Sequence, residues 1–175
     1  MNKTIKVAEY IIDWHYKNNI MPSFMRVMKL AIHSHGVYLA TNNISLLDER
    51  VWLSEFGPQL KGSGSYCGKY IKYIKTSMPP VKKVFLFNRK LRNAEAYSID
   101  LVCEAFKNAS TDQICSYMRG PDSFWFHNTN NGKNITRWAY DEDILNFYKK
   151  LLDNGTKAKS AEKEGNVIHC DFRGT

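Results

Sequence analysis

The stretch GSGSYCGKY at residues 62–70 carries the glycines, hydroxyls and lysine that phosphate-cradling loops use. Such a loop needs G-x-x-x-x-G-K-[ST], so that backbone amides, the lysine and a hydroxyl converge on phosphate and magnesium. Here Ser63 stands five residues before Gly68, and Tyr70 stands where Ser or Thr is required, so the pattern fails. A metal needs ligands that share a face. His33 and His35 are two apart on an expected helix and point apart, and His169-Cys170 has no partner nearby in sequence. Cys67, Cys103, Cys115 and Cys170 form no C-x-x-C pair, which argues against structural zinc and a disulfide scaffold and fits reduced thiols. No local signature pairs one of them with a histidine as a nucleophile. The run Asp141-Glu142-Asp143 suits a helix N-terminus, where each carboxylate gains roughly 0.3–1 kcal/mol, better than a catalytic pair. No enzyme, cofactor or metal is expected.

Charge is more informative. The chain has 175 residues, 25 basic and 17 acidic, for a net charge of +8. Between Phe56 and Ala94 there is no Asp or Glu, and nine cations stand there: Lys61, Lys69, Lys72, Lys75, Lys82, Lys83, Arg89, Lys90 and Arg92. That leaves 16 basic against 17 acidic residues elsewhere, so the whole excess is one local block. Tyr66, Tyr70, Tyr73, Phe85 and Phe87 are interleaved with it. Three readings fit: a solvated lysine face with its aromatics packed inward, a contact with an acidic protein, or a single-stranded nucleic-acid groove.

The elements that must position these groups read mainly as helices with a few short strands. Ile5, Ala8, Ile11, Ile12 and Tyr16 recur at helical spacing, with Thr4 as N-cap and Asn18-Asn19 as the stop. A second helix follows Pro22-Ser23, with Met25, Met28, Ile32, His35, Gly36 and Leu39 on one face, and ends at Asn42-Asn43. Leu46 to Phe56 is mixed and gives no clear period; Gly57-Pro58 is a turn. A helix is expected over 66–75 and a strand over 84–87. Arg89 to Lys107 reads as a helix with Ile99, Val102, Cys103 and Phe106 inward. Ser110 and Gln113 form a capping box that opens another. Phe124 to Arg137 reads as an Asn-rich loop. Asp141 caps a last helix, with Ile144, Leu145, Tyr148, Leu151 and Leu152 inward, closed by Asn154-Gly155. Lys157 to Gly165 reads as a linker, and Val167 to Phe172 as a terminal strand or arm. The sum is a single helical domain over 1–154 with a polar tail over 155–175. No window is apolar enough for a transmembrane helix, and Glu9 and Asp13 interrupt any signal-peptide stretch, so a cytoplasmic location is expected.

Two stretches together resemble the Panacea domain, also described as GepA-like or SocA-like, found in antitoxins and in phage and prophage proteins. In the first, Met25, Lys29, Leu30, Gly36, Tyr38, Leu39 and Ala40 match the family's opening helix. Leu46, Leu47, Asp48, Glu49, Val51, Phe56, Gly57 and Pro58 match the acidic patch and aromatic-Gly-Pro turn that follow. The second runs from Ile114 to Trp125, then Ile135, Ile144 and Tyr148. There Met118-Arg119 stand where the family has Thr-His, and Phe124 stands where it has Pro before the Trp.

The resemblance implies binding rather than catalysis: a neutralising antitoxin of a toxin-antitoxin pair, or an adaptor that delivers a partner to a protease. A phage-encoded inhibitor of a host defence system would use the same mechanism, and nucleic-acid binding through Lys61 to Arg92 is the alternative of another class. The expected partner contacts are Lys69, Lys72, Lys75, Lys82 and Lys83 in the basic block, with Arg119, Phe124, Trp125, Phe126 and Arg137 around the Asn-rich loop. Aromatics and arginine are the usual interface anchors. For Trp125, core packing is the competing expectation.

Overall fold

Fourteen consecutive residues of one helix, Arg26 to Leu39, are buried, and the rest of the fold is arranged around them. The computed structural model describes residues 3–62, 91–133 and 135–163. The helix expected over 66–75, the strand over 84–87, the arm over 167–172 and the five lysines Lys69, Lys72, Lys75, Lys82 and Lys83 lie outside the described residues.

Among the described residues the order is α1 (Lys3–Lys17), α2 (Phe24–Asn42), β1 (Val51–Ser54), β2 (Gly57–Leu60), α3 (Asn93–Ala105), α4 (Thr111–Tyr117), α5 (Phe124–Asn128), β3 (Arg137–Trp138) and α6 (Asp141–Lys163). This is a mainly α fold with a small antiparallel sheet of order β2-β1-β3. The helix α2 packs against α1, α3, α4, α6 and β2, so it is covered on every side rather than on the single face its spacing suggests. Ser23 caps its start, accepting the Arg26 N–H at 3.2 Å. Asn43 ends it in the left-handed conformation (φ 55°), with its N–H on the Leu39 carbonyl.

Several boundaries differ from expectation for identifiable reasons. Thr4 is not an N-cap: it lies within α1, and Asp48 from across the fold caps the helix start. One Asp48 oxygen accepts from the Thr4 N–H at 2.9 Å and its hydroxyl at 2.6 Å; the other accepts from the Lys3 N–H at 2.6 Å. Leu46 to Phe56, which shows no clear period, contains β1, because Val51 and Leu53 point inward while Trp52 does not. Residues 124–128 are helical rather than loop, capped by Ser123 accepting from the Phe126 N–H. Asp141 opens α6 but spends its carboxylate on Ser45 and His35 instead of capping. That helix continues past Asn154-Gly155 to Lys163, over most of the segment that composition marks as a linker.

A close approach shows why Gly36 is glycine. A Cβ there would lie 2.2 Å from the Tyr148 ring of α6, so only a bare backbone lets the two helices pack this tightly. The large charged and imidazole side chains inside this core are hydrogen-bonded, whereas the buried Ser34 hydroxyl of α2 has no partner among the described residues. The Arg26 Nε–H donates to His15 Nε2 at 2.6 Å, while His15 Nδ1 bonds the Ile11 carbonyl at 2.7 Å. The other Arg26 nitrogens donate to the carbonyls of Ala109 and Phe106, just past the end of α3. Lys29, fully buried, donates to Phe56 and Pro58 carbonyls at 2.9 and 2.8 Å and so pins the β1–β2 turn to α2. The turn is Glu55-Phe56, one step before the expected Gly57-Pro58, which instead open β2; Gly57 has φ +88°, the left-handed region that suits glycine.

Candidate functional site

Alternation along β1 sends Val51 and Leu53 into the core and leaves Trp52 on the outer face. On β3, Trp138 stands opposite Trp52 in register, while Ala139 turns inward. The two indoles meet edge to face with ring centroids 4.8 Å apart, a favoured geometry for cross-strand aromatics. Tyr140, the next outward residue, is 61% exposed, and Trp138 is 38% exposed.

Two cations join these rings. The Lys61 ammonium sits 3.5 Å from the Trp52 centroid and 5.7 Å from that of Trp138. The Arg50 guanidinium sits 5.6 Å from Trp138 and 5.4 Å from Tyr140. Among the described residues neither cation has a carboxylate at ion-pair distance; Arg50 acts on Asp141 only from farther away. The result is an outward patch of three aromatics and two cations on a small sheet. Carboxylates edge it: Glu49 accepts the Gly62 N–H beside Lys61, and Asp141 follows Tyr140. Hydrogen bonding to His35 and Ser45, against the effect of burial, keeps the Asp141 carboxyl below its usual range.

The residues singled out from the sequence have divided fates. Phe124 and Trp125 are core residues, not surface anchors: they are 5% and 8% exposed. The Trp125 indole N–H donates to the Ser54 carbonyl at 2.7 Å, and Gly132 packs under its ring. Arg137 is half-buried and engaged, with Asp143 at 3.3 Å and the Asn128 carbonyl at 3.2 Å. Phe126 is half-buried against the core. Arg119 remains exposed, its stem lying over Gly57 near Phe56, itself 58% exposed. The sheet face itself escapes the sequence reading, apart from Lys61 at the start of the basic block. Its signal is there: in-out alternation in Val51-Trp52-Leu53 and again in Trp138-Ala139-Tyr140, each too short to register alone.

The interior holds titratable groups of a different kind. Burial pushes the His15 and His33 imidazoles down to about 4, and the Cys103 thiol up to about 12. Cys103 is therefore a packed thiol at neutral pH and not a poised thiolate. His33 bonds the Tyr148 hydroxyl at 2.7 Å beside a cavity of only about 10 Å³, lined by Tyr117, Met118, Ser123 and Trp125 among others. That is at the lower bound for one water. Among the described residues no group of three or more His, Cys, Asp or Glu could hold a metal, and no helix is long and apolar enough to cross a membrane. Compared with family models, curated proteins and solved structures, the chain matches none.

Proposed function

We propose that this chain is a protein-binding module that holds a partner protein inactive, as an antitoxin holds its toxin or an adaptor presents its client to a protease. The observation that carries this reading is the outward face of Trp52, Trp138, Tyr140, Arg50 and Lys61. Exposed tryptophan, tyrosine and arginine at one place are the composition of interface hot spots. They stand on a sheet whose inner face is anchored in the core, so little side-chain freedom remains to be lost on binding. The Panacea-like order of motifs supports the same reading, since that family neutralises unrelated toxins with a common scaffold.

The test is an affinity capture from source-cell lysate, with and without nuclease, read by mass spectrometry. The expected result is one stoichiometric protein that survives nuclease, is lost with the Trp138→Ser, Tyr140→Ser double variant, and has its toxic or catalytic activity silenced by the wild-type chain. Loss of all captured material on nuclease treatment overturns the reading in favour of nucleic acid.

A further inference from the structure

The sheet face also carries information about what it binds. We infer that it receives a short partner segment that places carboxylates on Arg50 and Lys61 and an apolar side chain against Trp138 and Tyr140. This rests on the protein-binding reading above and adds the chemistry of the partner.

Charge points to carboxylates. Arg50 and Lys61 stand together on one face with no carboxylate at ion-pair distance among the described residues, although the molecule pairs other basic groups: Lys3 with Glu95 at 2.9 Å, Arg137 with Asp143 at 3.3 Å, and Lys107 with Glu104 at 3.3 Å. Both are held over rings, which fixes their positions while leaving N–H donors to spare. A guanidinium held this way offers a planar fork that a carboxylate matches with two hydrogen bonds. Lys61 is also the first of the nine cations between Phe56 and Ala94 that carry the positive excess of the chain.

Ring access and rim charge favour a peptide over a nucleic acid. Base stacking needs an open ring face. Here the Lys61 ammonium lies 3.5 Å from the Trp52 centroid, Arg50 lies between Trp138 and Tyr140, and the two indoles meet edge to face. Each ring already has a cation over one face, and Tyr140 and Trp138 keep exposed area at which an apolar side chain can pack. The rim is of mixed sign, with Glu49 beside Lys61 in the turn and Asp141-Glu142 directly after Tyr140. A continuous phosphate backbone would meet those carboxylates, whereas a peptide with discrete acidic side chains need not.

The experiment uses the full chain and three fluorescein-labelled peptides of one length that alternate Phe with Asp, with Asn or with Lys, plus a single-stranded oligothymidylate. The expected result is that the Asp peptide binds about tenfold or more tightly than the Asn peptide, with the Lys peptide weakest. Arg50→Gln with Lys61→Gln should remove that preference. Trp138→Ser with Tyr140→Ser should weaken both the Asp and the Asn peptide. All variants should keep the parent's circular-dichroism spectrum, with Tm lowered by no more than about 5 °C. Equal affinity for the Asp and Asn peptides overturns the inference. So does oligothymidylate binding more tightly than any peptide and lost with the same variants, which would assign the face to nucleic acid. Concentration-dependent dimerisation abolished by Tyr140→Ser would assign it to a second copy of the chain and also overturns it. If the peptide preference fails while the captured protein still needs Trp138 and Tyr140, the acidic chemistry falls and the binding module stands. If nuclease removes everything captured, the module reading falls first.

Discussion

The buried spine of α2 and the outer face of the sheet use the same residue types to opposite ends. In the spine, Arg26, Lys29, His33 and His35 each find a partner inside the molecule: the carbonyls past α3, the carbonyls of the β1–β2 turn, the Tyr148 hydroxyl and the Leu47 N–H. On the sheet, Arg50 and Lys61 lie over aromatic rings with no carboxylate at ion-pair distance among the described residues, and those rings are left partly in water. A buried donor left unpaired costs about 1–3 kcal/mol, which favours closing these four groups inside the molecule. A surface cation pays no such penalty. Binding is to be sought among groups whose bonding capacity the fold leaves unspent, not among the most unusual groups it contains.

Substitutions in the two regions should therefore differ in kind. The largest loss is expected for Trp125→Ala, which empties a packed indole site and frees the Ser54 carbonyl; about 3–5 kcal/mol should be lost in urea unfolding. A loss below about 1 kcal/mol would place Trp125 with the surface residues instead.

Next is acid. The His15 and His33 folded values near 4 lie below their unfolded value near 6.5, so the unfolded chain binds the extra protons. Their contribution is complete above about pH 6.5 and is lost as pH falls toward 4, by up to about 3 kcal/mol for each histidine. The lowered carboxyls of Asp48, Glu95 and Asp141 add losses in the same direction at lower pH. Asp13 opposes them: burial raises it to about 6, so its share is gained as pH falls. Unfolding free energies measured from pH 7 to 4 should fall steeply, and His33→Gln should flatten that slope whatever it does to the level. An unchanged slope would show that this imidazole does not titrate between the two states.

Smaller again is Gly36→Ala. Helix propensity favours alanine by about 1 kcal/mol, but a Cβ placed 2.2 Å from the Tyr148 ring forces α2 and α6 apart. A net loss of about 1–2 kcal/mol is expected, by analogy with overpacked cores. In a Tyr148→Leu background the loss should vanish or reverse, which a double-mutant cycle reads directly. Additive effects would mean that this helix contact does not set the packing.

The smallest stability effect belongs to the sheet face. Arg50→Gln with Lys61→Gln should change unfolding free energy by about 1 kcal/mol, because an exposed cation–π contact is worth about 0.5–1 kcal/mol and no ion pair is lost among the described residues. A change as large as that in the core would erase the contrast between the two regions.

Much of the helical frame was legible from local chemistry. The αL stop at Asn43 and the Ser110–Gln113 capping box are short-range events, settled within a few residues of chain. The inward residues of α1, α3 and α6 follow the 3.6-residue period, which each helix carries in its own sequence. The site was not legible in this way. Trp52 and Trp138 are 86 positions apart and become neighbours only through the β1–β3 register. The same aromatic-basic composition that suggested Phe124, Trp125 and Arg137 as contacts describes equally a residue that the core absorbs. Sequence by itself determined that α2 would be a helix, where it would stop, and that positive charge would gather from Lys61 onward. Only the tertiary structure decided that α2 is enclosed on all sides, that Trp125 is internal and that Trp52, Trp138 and Tyr140 share a face. The physical reason is range: caps and periodicity act over a turn or two, whereas exposure is decided by whichever distant segment arrives to cover a side chain.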